Sequence, residues 1–161
     1  AALLIAEGAI KGKLRDSLAP PPVDTQGAPP VLGRGCSLPD SLPALRALPP
    51  ATIFAPFEIG PTLLLQTRHS VIATGHHRAA AAMSDVIGAY LAAPGKAEAI
   101  VRRHGASYVI ACSDLVEARN YQKFAPHGLM AGLLAGQTPG WLEPVALPPG
   151  AGNLRLWKLR R

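Results

Sequence analysis

Two short polar clusters hold the side chains of this sequence best placed to do chemistry. Glu58 stands in Phe57-Glu58-Ile59-Gly60, directly after the apolar run Thr52–Ala55. His76-His77-Arg78 follows the apolar run Ser70–Thr74, and His69 immediately precedes that run. If the two runs are neighbouring parallel strands, the residues that follow them face the ligand crevice of an open sheet. Glu58 there either orients a ligand or partner donor, or sits at the positive end of the helix that Pro61 opens, which is the commoner fate of such a carboxylate. Three histidines invite a metal reading. Adjacent histidines on an extended turn point apart, however, and no Asp or Cys stands with them, so metal ligation is not expected. A cationic turn that pairs with Glu58 or meets an anionic phosphate fits better, and a plain surface turn is the commonest outcome of all.

Other chemistries find little support. FEIGP is neither G-x-G-x-x-G nor a P-loop. Ser84-Asp85 and Ser113-Asp114 lack the G-x-S-x-G elbow, and the second pair reads as a turn or helix start. Cys112 ends an apolar strand and reads as core. Trp141 and Trp157 read as packing residues rather than a sugar platform.

The elements that must position these groups follow from periodicity. Short apolar strands are expected at Thr52–Ala55, Ser70–Thr74 and Tyr108–Ala111, the last a continuous buried run. A short helix is expected from Pro61 to Gln66. A longer one is expected over Ala79–Ala92, with Met83, Val86, Ile87, Tyr90 and Leu91 on its buried face. Pro94-Gly95 breaks that helix, and a further one runs to Gly105 as its C-terminal stop. Pro126–Ala135 reads as a small helix ended by Gly136. Trp141–Leu147 and Leu154–Arg160 read as a hairpin across PPGAGN. The expected fold class is α/β: a three-layer open sheet with a parallel βαβαβ core and a C-terminal antiparallel hairpin. Residues 1–51 read as a helical start (1–18) followed by a Pro-rich arm with a brief helix at Leu42–Leu48, and residues 52–161 as the α/β domain.

Composition bounds the rest. The chain has 161 residues, 48% hydrophobic, with a formal net charge of +6. That suffices for one cored domain. The cations are scattered: Lys11, Lys13, Arg15, Arg102, Arg103, Arg155, Lys158, Arg160, Arg161. Aromatics are only 5%, so the basic stripe with interleaved rings that marks a nucleic-acid binder is missing. A solvated basic surface is the expectation, one that an anionic membrane surface or anionic substrate can also use. No apolar run reaches the roughly 20 residues needed to span a bilayer. The abrupt AALLIAEG start, without Met, reads as a piece of a longer chain. Cys36 and Cys112 have no zinc spacing. They are expected as buried free thiols in a cytosolic protein and as a pair outside the cytoplasm.

One resemblance emerges from these motifs. The order runs from an apolar strand to acidic-x-Gly (Glu58-Ile59-Gly60), then a Leu-rich short helix (Thr62–Gln66), then Thr67, His69, Val71, Ile72 and Ala73. A His77-Arg78 turn, two helices, and Gly105, Tyr108 and Val109 follow. Over about residues 36–112 this resembles the soluble C-terminal part of polytopic bacterial membrane proteins of the GT-C glycosyltransferase class, distantly like the catalytic subunits of oligosaccharyltransferases. The resemblance departs at two turns: the family's Asp is Glu58 here, and its Tyr-His-Arg-Asn turn reads His76-His77-Arg78-Ala79. It implies an extracytoplasmic accessory domain of a membrane glycosyltransferase that uses a lipid-linked sugar donor, on the periplasmic side of the bacterial inner membrane. It also implies no catalytic residue and no cofactor or metal in this segment. The partners it implies are the transmembrane portion of the same polypeptide and a lipid-linked sugar or acceptor, met by Glu58, His69, His76, His77 and Arg78; no nucleic acid is expected. It favours a Cys36–Cys112 disulfide. The alternatives are a stand-alone α/β binding or interaction domain unrelated to sugar transfer, and a small soluble enzyme using the strand-exit crevice.

Overall fold

The computed structural model describes residues 36–161. The helical start expected over 1–18 and most of the Pro-rich arm lie outside the described residues. Within them the chain forms α1 (Leu38–Ala47), β1 (Thr52–Phe54), α2 (Gly60–Gln66), β2 (Ser70–Val71), α3 (Ala80–Leu91), α4 (Pro94–Arg103), β3 (Tyr108–Cys112), α5 (Val116–Phe124), α6 (Leu129–Leu134), β4 (Leu142–Val145) and β5 (Leu154–Leu159). Single 3₁₀ turns cover His77–Ala79 and Pro149–Ala151.

The five strands make one open sheet in the order β2-β1-β3-β5-β4. β1 pairs parallel with both β2 and β3. β5 runs antiparallel to β3 and to β4. The parallel βαβαβ core and the C-terminal antiparallel hairpin are therefore both present. β2 lies on one side of β1 and β3 on the other, so the chain reverses direction across the sheet at β1. By the right-handed rule for parallel crossovers, this order sets α2 and the α3–α4 pair on opposite faces.

The hairpin inserts its second strand inward. β5 pairs with β3 along its length, from Tyr108↔Lys158 to Cys112↔Leu154, and leaves β4 as the edge. This order suits the burial pattern, since all five β3 residues are buried and need paired neighbours on both sides. β4 carries exposed Glu143 and Pro144, residues that blunt an open edge.

Several expectations are revised, the arm's brief helix among them: expected at Leu42–Leu48, it is α1 over Leu38–Ala47. β2 is only Ser70–Val71, because the chain leaves the sheet at Ile72. Helix α5, unforeseen beyond its start, occupies Val116–Phe124. On α3 the buried residues are Val86, Ala89 and Tyr90, whereas Ile87 is 37% exposed. The buried stripe thus takes in Ala89 and leaves Ile87 at the surface. Leu38 and Leu45 of α1 belong to the same core as β1 and β3, so the packed region reaches N-terminal of Thr52.

Tyr90 is the centre of that core. It is fully buried, and its hydroxyl lies 3.0 Å from the Phe54 carbonyl and 2.8 Å from the Ile110 carbonyl, one hydrogen shared between β1 and β3. Its ring meets Phe54 edge-on at 5.5 Å and stacks on Tyr121 of α5 at 5.6 Å. Gly128 sits against the end of α3: a Cβ there would lie 2.7 Å from the Leu91 carbonyl. The absent side chain lets the Leu129 N–H reach the Ala92 carbonyl at 2.8 Å, which fastens α6 to α3.

Candidate functional site: the strand-exit crevice

β1 and β3 both end on the same side of the sheet, and the chain leaves them in opposite directions. This is the switch point where open α/β sheets place their crevice. The loop after β1 carries Glu58, and the loop after β3 leads into α5. Glu58 does not serve α2, the helix it precedes in sequence. Its Oε1 accepts the Glu117 N–H at 2.6 Å in the first turn of α5, and the Glu58 N–H donates to Glu117 Oε2 at 3.3 Å. The residue at the N-cap of α5, Leu115, has no side-chain acceptor. Glu58 therefore caps that helix from another segment, where orphan N–H groups and the positive helix end favour a carboxylate.

Glu117 completes the bridge. The Tyr121 hydroxyl, one helical turn on, donates to its Oε1. Burial raises the Glu117 carboxyl above its usual range and the neighbouring Glu58 charge adds to this, while the hydrogen bonds it accepts partly oppose them. Burial, followed by the Glu117 contact, raises Tyr121; burial chiefly raises Tyr90. Sequence reasoning missed Glu117 and Tyr121. Their i, i+4 spacing just after a strand-exit turn was the available signal.

A folded-state pKa raised above the unfolded value means that folding binds a proton. The stabilisation is full below the ordinary carboxyl range and is lost as pH rises through the raised value. We expect Glu117→Gln to raise the thermal midpoint at pH 7 by a few degrees and to leave it close to wild type near pH 4. The amide oxygen can still accept from Glu58 N–H, and its NH₂ can donate to the rotated Tyr121 hydroxyl. A gap that is equal at both pH values, or reversed, would show that desolvation of Glu117 is not felt.

The sequence-predicted cluster divides. His76 and the 3₁₀ turn through His77 and Arg78 leave β2 at the same sheet end at which Glu58 leaves β1, because the two strands are parallel. His76 Nδ1 accepts from the Arg78 N–H at 3.4 Å, and both residues are exposed. No ion pair joins Arg78 to Glu58 among the described residues; the carboxylate is turned toward α5 instead. His69 lies at the other end of β2 and is buried. Its Nε2–H donates to the Leu45 carbonyl at 2.7 Å and its Nδ1 accepts the Ala51 N–H at 3.2 Å. Both nitrogens thus tie α1 and the entry of β1 to β2, and the three histidines do not converge.

A His–carboxylate pair joins α3 to α4. Asp85 accepts from His104 Nε2 at 2.8 Å and from Arg103 at 2.9 Å, and these bonds, His104 first, hold its carboxyl below the usual range. No hydroxyl or thiol bonds to His104 among the described residues, so the pair is a helix tie. Trp157 is buried and its indole N–H donates to Thr138 Oγ1 at 3.2 Å, a packing role.

Cys36 and Cys112 form a disulfide, with Cα atoms 6.1 Å apart. It links the segment ahead of α1 to the last residue of β3. Asp114 lies beside the sulfurs and accepts from Asn153 Nδ2 at 2.9 Å. With the sulfurs bonded to each other, this trio has no thiolate to offer a metal.

The polar groups of the crevice are thus paired with one another. The arrangement holds the exits of β1 and β3 in fixed relation and presents the adjacent cationic turn to solvent. No protein-family model and no curated protein sequence matches the chain. Among solved structures, the fold is similar to the C-terminal globular domain of an oligosaccharyltransferase from Archaeoglobus fulgidus, with a TM-score of 0.53 at 12% identity, covering 74% of this chain and 92% of that one.

Proposed function

We propose that this chain is an extracytoplasmic accessory domain of a membrane glycosyltransferase of the oligosaccharyltransferase type, acting beside a membrane-embedded portion of the same polypeptide and not catalytic by itself. The observation that carries the reading is the fold: the likeness spans nearly all of a domain that is itself the C-terminal globular part of an oligosaccharyltransferase. The disulfide supports it, since such bonds persist in oxidising compartments such as the bacterial periplasm. No described helix is long and apolar enough to cross a membrane, so spans of the parent protein lie elsewhere in this reading. The sugar donor is lipid-linked and its reacting groups belong to the membrane portion. Glu58 and Arg78 contribute geometry at the strand-exit end, as contacts to that portion or to the acceptor.

Turnover measurements test this. The purified 161-residue chain is expected to show neither transfer nor hydrolysis of sugars. In the full-length transferase, Glu58→Ala or Arg78→Ala should lower turnover about tenfold, equivalent to ~1.4 kcal/mol of transition-state stabilisation. Circular dichroism of the isolated domain should be unchanged, since a lost cap costs only about 1 kcal/mol. Unchanged turnover in both variants removes the crevice from the function. Robust turnover by the isolated chain overturns the accessory reading.

A further inference from the structure

The opposite end of the sheet carries a feature that the crevice does not use. The turn before β3 and the end of β5 border an open concavity of about 590 Å³, lined by Arg102, Lys158, Arg160 and Arg161, with Glu143 as its one side-chain carboxylate. Four cations around one concavity are costly unless solvent or a ligand answers them. Arg102 is partly answered by Glu98 at 2.8 Å. Lys158, Arg160 and Arg161 are exposed and make no ion pair among the described residues, although Glu143 is the strand neighbour of Lys158. The site is also pinned. Arg160 N–H donates to the Trp141 carbonyl at 2.9 Å, and the Arg102 guanidinium donates to the Arg160 carbonyl at 3.0 Å. The floor is the Gly105–Ser107 turn, in which Gly105 has a φ of +64° that favours glycine. A pinned backbone with cations grouped around it and one opposing side-chain carboxylate suits a phosphate-bearing anion: guanidinium groups can bond phosphate oxygens in pairs, and the concavity is wider than one phosphate needs.

We propose that this basic cavity binds a phosphate-bearing anion, with Arg160 and Arg161 as its principal ligands and Lys158 as a supporting charge. A soluble pyrophosphate and the phosphodiester head group of an anionic lipid share that chemistry. The inference does not rest on the proposed transferase role, and its test needs only the 161-residue chain. Inorganic pyrophosphate, titrated in low salt and followed by amide NMR, is expected to shift Gly105–Ser107 selectively. Arg160→Gln/Arg161→Gln should weaken binding by about tenfold or more, as expected for lost charge-assisted bonds. Arg119→Gln/Lys123→Gln removes equal charge from exposed positions of α5 outside the cavity and should leave binding within about twofold. Co-sedimentation with phosphatidylcholine vesicles, with and without phosphatidylglycerol, separates the sources. Selective retention on the anionic vesicles, lost in the cavity variant, identifies a lipid head group; pyrophosphate binding without retention identifies a soluble ligand. The proposal is overturned if neither probe binds, or if the two double variants weaken binding equally, which would reduce the site to diffuse surface charge.

Discussion

Replacing the Cys36–Cys112 disulfide by Cys36→Ala/Cys112→Ala is expected to lower the unfolding free energy by about 4 kcal/mol in the chain-entropy model. The bond spans 76 residues, so opening it returns a long loop of conformational freedom to the unfolded chain. It also ties the segment ahead of α1 to the buried end of β3, and α1 contributes Leu38 and Leu45 to the core. Denaturant unfolding of oxidised wild type against the double alanine variant measures the loss, and amide exchange should rise first in α1. Alanine avoids placing a hydroxyl at the fully buried Cys112 position. Intact mass after alkylation, with and without reductant, establishes the bond in protein exported to an oxidising compartment. Two freely alkylated thiols there would remove the bond and, with it, the support it lends to an extracytoplasmic location.

Tyr90 should be the most sensitive single side chain. Tyr90→Ala removes a fully buried ring that touches Phe54 and Tyr121 and should cost about 4 kcal/mol through lost burial and the cavity left behind. Tyr90→Phe keeps the ring and should cost about 1–3 kcal/mol, because the hydroxyl is the donor that Phe54 and Ile110 share across β1 and β3. Urea titrations with an unchanged m-value give both numbers. If Tyr90→Phe proves as stable as wild type, the hydroxyl bridge contributes nothing and the sheet is held there by backbone pairing alone.

The two effects have different origins. The disulfide acts through the unfolded chain and Tyr90 through native packing. They lie apart in sequence yet serve one junction, the β1–β3 switch point. The Glu58–Glu117 bridge closes that junction at its surface, Tyr90 holds it in the core, and the disulfide anchors the end of β3 beside it.

Local signals in the sequence determined much of this protein. Continuous apolar residues at Tyr108–Ala111 announced a strand buried on both faces, and the structure buries these four and Cys112 with them. Gly105 and Gly136 were legible as helix stops because α4 and α6 end in a left-handed turn that glycine adopts without strain; their φ values are +64° and +80°. Pro61 marked a helix start, since a missing N–H costs nothing in a first turn; Pro94, read only as the break after α3, also stands in the first turn of α4. The order of the strands and of every described helix but α5 followed from these cues, and with it the parallel core and the C-terminal hairpin. Tertiary contact decided the rest. Only three-dimensional pairing could place β5 between β3 and β4, since hairpin periodicity is the same for either order. Glu58 could not be assigned to α5 from sequence, because its partner Glu117 is 59 residues away. His69 precedes the strand that His76 and His77 follow, which the sequence shows, but its partners, the Leu45 carbonyl and the Ala51 N–H, are set by the fold. Local conformation is set by short-range sterics that the sequence displays directly. The fate of a polar side chain is set by which distant backbone group comes within about 3 Å of it, and only the folded chain brings those groups together.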